Sequence, residues 1–149
     1  VLRAGVAGSN KRLLRMTVTI WHNPACGTSR NTLAMIRATG IEPEIIEYLR
    51  VPPDADTLKT VAGQVGGVRA LLRIQGTPAI ELGLDQPDVP DAAILAAMAL
   101  HPILINRPVV IGPNGTVLAR PSERVLTVLD GQLSAEVTKE DGEKLRTAP

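Results

Sequence analysis

An apolar run, Val18-Thr19-Ile20-Trp21, passes into His22-Asn23-Pro24-Ala25-Cys26-Gly27-Thr28-Ser29-Arg30, and this into a helical pattern through Leu33, Ile36 and Arg37 that ends at Gly40. A buried strand, a short loop and a helix in that order start an α/β fold, with the loop at the strand's C-terminal end. The loop carries Cys26, the only cysteine among 149 residues. Next to a helix N-terminus, unpaired backbone N–H groups and the positive end of the helix dipole favour an anion. Such a position lowers a thiol pKa from about 8.5 to roughly 3.5–7.5, so that thiolate is present at neutral pH. The same loop offers a seat for an oxyanion beside that nucleophile.

The rest of the chain extends the alternation. Thr17–Trp21 reads as a strand, Thr28–Thr39 as a helix stopped by Gly40, and Pro43–Leu49 as a second strand stopped by Pro52-Pro53. Asp54 or Asp56 caps a helix through about Val65, Gly66-Gly67 breaks it, and Val68–Arg73 forms a short helix. Residues 76–90 read as loop, and Asp91 caps an Ala-rich helix ending near His101-Pro102. Val109–Ile111 and Val117–Ala119 flank the turn sequence Pro113-Asn114-Gly115. Pro121-Ser122-Glu123 opens a helix through about Leu129, and residues 138–146 read as a last short helix. The order βαβ, helices, hairpin, helix fits an α/β sandwich with a small mixed sheet.

Composition narrows the function. Phe is absent, and Trp21 and Tyr48 are the only aromatic residues, so there are no stacking platforms for a single-stranded nucleic acid. The net charge of +1 gives no reason to expect a polyanionic partner. Four of the 16 basic residues, Arg3, Lys11, Arg12 and Arg15, fall within residues 1–15, which hold no acid; the remainder has 12 basic against 15 acidic residues, a net charge of −3. Residues 1–15 read as an appendage dispensable for catalysis, with residues 16–149 forming the domain. No apolar stretch approaches the roughly 18 residues of a membrane span, and residues 1–15 lack the apolar core of a secretory signal. A lone reactive cysteine suits a reducing cytoplasm.

Around Cys26, His22 at the strand end would stabilise a thiolate if protonated, or simply cap the strand. Asn23, Thr28 and Ser29 supply hydrogen bonds to a thiolate or oxyanion. Arg73, Arg107 and Arg120 stand at element ends, the last two each followed by a proline. A guanidinium donates in pairs to tetrahedral oxyanions, and each of these is otherwise an ordinary surface residue.

The run His22–Arg30, the segments Val68–Arg73, His101–Pro108 and Arg120-Pro121-Ser122-Glu123, and the tail Lys139–Lys144 resemble the glutaredoxin-coupled bacterial arsenate reductases. The resemblance spans about residues 16–146 and implies a thioredoxin-like sandwich with a helical insertion. It implies Cys26 as nucleophile, His22 as the residue keeping the thiol ionised, and Arg73, Arg107 and Arg120 as anion ligands. It further implies a covalent cysteine–arsenate adduct, glutathione as cosubstrate with no tightly bound cofactor or metal, and glutaredoxin as protein partner. The Arg107-Pro108 bond is expected cis, as in related folds. Departures lie at Gly66-Gly67, in residues 74–83, and at Ala119, where some members carry a cysteine.

Two other functions compete. Thioredoxin-like relatives include a transcriptional regulator that binds RNA polymerase, but that group uses Cys-x-x-Cys, and position 29 here is Ser29. A general glutathione-dependent thiol reductase is the other, although a disulfide substrate has no need of three guanidinium groups.

Overall fold

The computed structural model describes residues 17–134 and 136–145. The expected appendage, residues 1–15, lies outside them. The elements in chain order are β1 (Thr19–Trp21), α1 (Gly27–Ala38), β2 (Glu44–Ile46), α2 (Ala55–Gln64), α3 (Val68–Leu71), α4 (Asp91–Leu100), a 3₁₀ turn (Pro102–Leu104), β3 (Val109–Gly112), β4 (Gly115–Leu118), a longer 3₁₀ segment (Ser122–Val128), β5 (Val137–Thr138) and β6 (Lys144–Leu145).

A four-stranded mixed sheet runs in the order β2-β1-β3-β4. β1 pairs with β2 in parallel, Trp21 opposite Ile46, and with β3 antiparallel, Trp21 opposite Val109. β3 and β4 form a tight hairpin, Val109 opposite Leu118. These registers bring four chain segments to one end of the sheet: the segments that leave β1, β2 and β4, and the one that enters β3.

The two-residue period of the strands divides the core. Val18, Ile20 and Val110 face Met35 and Ile36 of α1 and Val125 and Val128 of the 3₁₀ segment. Trp21 and Val109 face the other way, onto Leu58, Ile94, Met98 and Leu104 of the helical insertion between β2 and β3. The result is the thioredoxin-like sandwich with a helical insertion. Asp54 caps α2 by accepting from the Thr57 N–H at 2.8 Å. Gly66 and Gly67 both have positive φ, 109° and 115°, which ends α2 and starts α3 at a turn that other residues rarely adopt.

Four local expectations are corrected. The second strand is not Pro43–Leu49: only Glu44–Ile46 pairs, because the Arg50 and Val51 N–H groups both turn back to the Glu47 carbonyl. Pro90, not Asp91, precedes the first turn of α4, and Asp91 is its first helical residue, where its charge complements the helix dipole. Residues 122–128 form a 3₁₀ segment rather than an α-helix. The tail is a β-hairpin rather than a helix: Val137–Thr138 pairs with Lys144–Leu145. Gly142 takes φ 94°, and Asp141 Oδ1 accepts from the Glu143 N–H at 2.9 Å, so the sequence that resembled a polar helix closes a turn. Lys139 Nζ then ties the hairpin to the 3₁₀ segment through Glu123, at 2.7 Å.

Among the described residues, no helix is long and apolar enough to cross a membrane, and no cluster of three or more His, Cys, Asp or Glu is placed to hold a metal ion.

Candidate active site

The site occupies the sheet end to which the registers bring the loops. Cys26 precedes the first turn of α1 in extended conformation, and its N–H donates to the Asn23 carbonyl at 2.9 Å while its own carbonyl accepts from the Arg30 N–H at 3.0 Å. No side-chain hydrogen bond caps α1. The first-turn amides of Ser29 and Thr28 instead face the sulfur. Burial opposes ionisation of the thiol. The Ser29 N–H, the Arg107 charge, the Thr28 N–H and the Arg120 side chain outweigh it, holding the pKa below the ordinary cysteine value.

The loop is held by its own polar groups. Ser29 is fully buried; its Oγ accepts from the Asn23 N–H at 3.0 Å and lies 2.7 Å from His22 Nδ1, a hydrogen bond whose proton sits on either atom according to the tautomer. Asn23 Oδ1 accepts from the Ala25 N–H at 3.0 Å. The structure therefore uses the Ser29 and Asn23 side chains to build the loop, and Ser29 supports the thiol through its backbone N–H. His22 is 7% exposed, and burial lowers its pKa, with Glu47 pulling the other way and Arg37 and Arg30 adding to the lowering. Burial thus favours its neutral form. The cations that act on the thiol are arginines.

Arg120 follows β4, and its Nη1 lies 3.9 Å from Cys26 Sγ and donates to the Arg107 carbonyl at 3.1 Å. Arg107 precedes β3, and its Nε is buried without a hydrogen-bond partner. The Arg107-Pro108 bond is cis as expected, and so is Arg120-Pro121. The backbone of Arg73 comes alongside the segment leading to Arg107 by a different route. Leu72 forms an isolated antiparallel bridge with Ile105, with the Arg73 N–H donating to the Leu104 carbonyl at 2.8 Å and the Asn106 N–H to the Leu71 carbonyl at 2.7 Å. That bridge lays the end of α3 beside the segment leading to Arg107. Arg73 Nε donates to the Gln75 carbonyl at 3.0 Å, within a loop whose residues depart from the expected pattern.

Three residues of this region were not among the site residues expected from the sequence. Arg69, four positions before Arg73, spends its guanidinium on the carbonyls of Leu84, Gln86, Pro87 and Val89 and so anchors the loop after residue 83. Glu140 of the tail hairpin forms a forked pair with Arg30, at 2.6 and 2.7 Å, while Arg30 Nη1 donates to the Pro24 carbonyl at 2.6 Å. Tyr48 is completely buried beside the arginines. Spacing carries no signal for the last two, because both depend on turns that bring distant segments to α1 and β1.

A thiol biased toward thiolate, with two guanidinium groups around it and backbone N–H groups at a helix start, can attack an electrophilic centre whose oxygens are held by the arginines.

The family model described as the ArsC family matches residues 21–128. Among curated proteins, an arsenate reductase of Rhizobium meliloti (strain 1021) is 54% identical over 134 residues, 89% of this chain and 96% of the relative. An arsenate reductase of Escherichia coli (strain K12) is 53% identical over 129 residues, 86% of this chain and 92% of the relative. Among solved structures, an arsenate reductase from Vibrio cholerae superposes with a TM-score of 0.73 at 42% identity, covering 76% of this chain and 98% of that one.

Proposed function

The chain belongs to the ArsC family, and from that membership we propose that it is an arsenate reductase that works through Cys26 with glutathione and glutaredoxin. The observation that carries this reading is the pairing of Cys26 Sγ with Arg120 Nη1 at 3.9 Å, in a thiol environment that favours the thiolate. The curated relatives bear the name arsenate reductase over nearly their whole length.

The Cys26 thiolate attacks arsenic, an arsenic–sulfur bond forms, and one arsenate oxygen leaves as water. Arg107 and Arg120, with Arg73 at the rim, hold the remaining oxygens and the charge that develops on them. Glutathione then attacks the adduct, and glutaredoxin supplies the second thiol. Glutathione displaces a second water from arsenic. Attack of the glutaredoxin thiol on the glutathione sulfur leaves the electron pair of that arsenic–sulfur bond on arsenic, so arsenic gains two electrons and the two thiols end as one disulfide. Water then cleaves the Cys26–arsenic bond, giving hydroxide to arsenic and a proton to sulfur, and arsenite leaves with Cys26 regenerated as a thiol. One cysteine in the whole chain fits such a scheme, because the resolving thiols must come from outside.

Arsenate reduction assayed with the purified protein, with and without glutathione and glutaredoxin, tests the reading. Turnover requiring both is expected. Turnover with neither, or none with both, overturns it.

A further inference from the structure

Tyr48 stands just past the paired part of β2, inside the turn made by the Arg50 and Val51 N–H groups on the Glu47 carbonyl. β1 and β2 run in parallel with Trp21 opposite Ile46, and the His22 N–H donates to the Ile46 carbonyl at 2.8 Å. The chain that leaves β2 therefore emerges beside the loop that carries Cys26. Tyr48 is 0% exposed, with its ring in the core among Trp21 and Val109.

Its hydroxyl has no hydrogen-bond partner among the described residues. A buried polar group left unpaired costs roughly 1–3 kcal/mol, and tyrosine hydroxyls in cores almost always find a partner. Phenylalanine would fill the same space without that cost. Burial disfavours ionisation of the phenol; Asn23, Arg107 and Arg73 ease it, and Cys26 adds to its cost. The Asn23 contact falls short of hydrogen-bond geometry. These influences place the hydroxyl in the electrostatic neighbourhood of the candidate nucleophile and two of the candidate anion ligands. The other unpartnered buried side-chain atom among the described residues is Arg107 Nε. Both orphan donors thus belong to one neighbourhood, at the sheet end that holds Cys26.

We propose that Tyr48 is a substrate-binding residue, its neutral hydroxyl donating a hydrogen bond to an oxygen of the tetrahedral oxyanion held beside Cys26 by Arg107. The proposal rests on the arsenate reductase reading for the identity of that anion. A neutral donor adds affinity for the anion without adding a further positive charge to a site that already holds arginines. It also explains why the core tolerates a hydroxyl there: its partner is the substrate.

Protection of Cys26 from iodoacetamide tests the proposal on the full chain, with arsenate and, separately, sulfate as the probe. In Tyr48→Phe the concentration giving half-protection should rise about tenfold or more, the effect of one hydrogen bond to a charged group. The pH midpoint of alkylation without anion and the urea midpoint should stay at, or above, their wild-type values. Equal protection of wild type and Tyr48→Phe overturns the proposal. So does weaker protection that comes with a lowered urea midpoint or a displaced thiol titration, because the hydroxyl would then act on the protein rather than the anion. Wild-type protein that no oxyanion protects also overturns it. Protection by arsenate without arsenate turnover sinks the enzymatic reading and leaves the Tyr48 assignment standing. Turnover with no Tyr48→Phe effect does the reverse.

Discussion

Arg120 Nη1 lies 3.9 Å from Cys26 Sγ, 94 residues away in sequence, and the same nitrogen donates to the Arg107 carbonyl. One guanidinium thus touches the thiol and fixes the backbone of the neighbouring arginine. The antiparallel β3–β4 hairpin makes this possible, because with Val109 opposite Leu118 the residues just outside the pair, Arg107 and Arg120, must come together.

The thiol titration follows from this contact. The alkylation rate should rise as pH increases through the Cys26 pKa, with a midpoint below that of free cysteine, about 8.5. Arg120→Met removes a charge and a donor, so the midpoint should move up. Cys26→Ser should abolish arsenate turnover, because a hydroxyl is not ionised there and cannot cycle with thiols. An Arg120→Met midpoint equal to wild type shows that the guanidinium does not act on the sulfur.

Arg107→Lys keeps a positive charge but loses the forked donors. If Arg107 clamps two arsenate oxygens, kcat/KM for arsenate should fall about tenfold or more, a loss of at least ~1.4 kcal/mol. Steady-state kinetics measure it. Unchanged kinetics would leave Arg107 a role in the loop alone.

The His22–Ser29 pair predicts both stability and its pH dependence. Ser29→Ala strips an acceptor from the Asn23 N–H and a partner from His22, and should cost roughly 1–3 kcal/mol in urea unfolding. The folded pKa of His22 lies below its unfolded value, so the unfolded chain binds the proton more readily. The contribution of His22 to stability is therefore complete above about pH 6.5 and is lost as pH falls through and below that value. His22→Gln removes this component, so the wild-type minus His22→Gln difference in unfolding free energy should shrink on going from pH 7.5 to pH 5. A difference that grows on acidification would mean a charged, stabilising imidazole.

Gly112 ends β3 where the 3₁₀ segment crosses the hairpin, and a Cβ there would collide with the Val128 carbonyl oxygen. Because the obstacle is backbone, a rotamer change cannot relieve it. Gly112→Ala should lower unfolding free energy by about 1–3 kcal/mol. An unchanged urea midpoint would show that the 3₁₀ segment yields freely.

The strand–loop–helix unit around Cys26 was legible in the sequence because its causes are local: an apolar strand, a proline-containing loop, a cysteine at the helix start and a glycine at its end. Asp54 capping α2 and the Gly66-Gly67 break were legible for the same reason. Two kinds of information were not. Charge state depends on burial: spacing left His22 open as a thiolate-stabilising cation or a strand cap, and burial favours its neutral form. Convergence depends on strand register. Arg107 and Arg120 could be singled out by their position before proline, but only β3–β4 pairing puts them together, and only the Leu72–Ile105 bridge brings Arg73 alongside. The tail misled local reading because its polar residues fit a helix surface as well as a turn, and the decision came from Asp141-Gly142 and from the reach of Lys139 to Glu123. Tyr48 lay within the second strand expected over Pro43–Leu49. A turn after Ile46 ended the pairing early, and the site's second orphan donor exists because that turn buried a hydroxyl beside the arginines. Local sequence set the nucleophile and its helix; nonlocal hydrogen bonds and burial chose its company and the charge each neighbour carries.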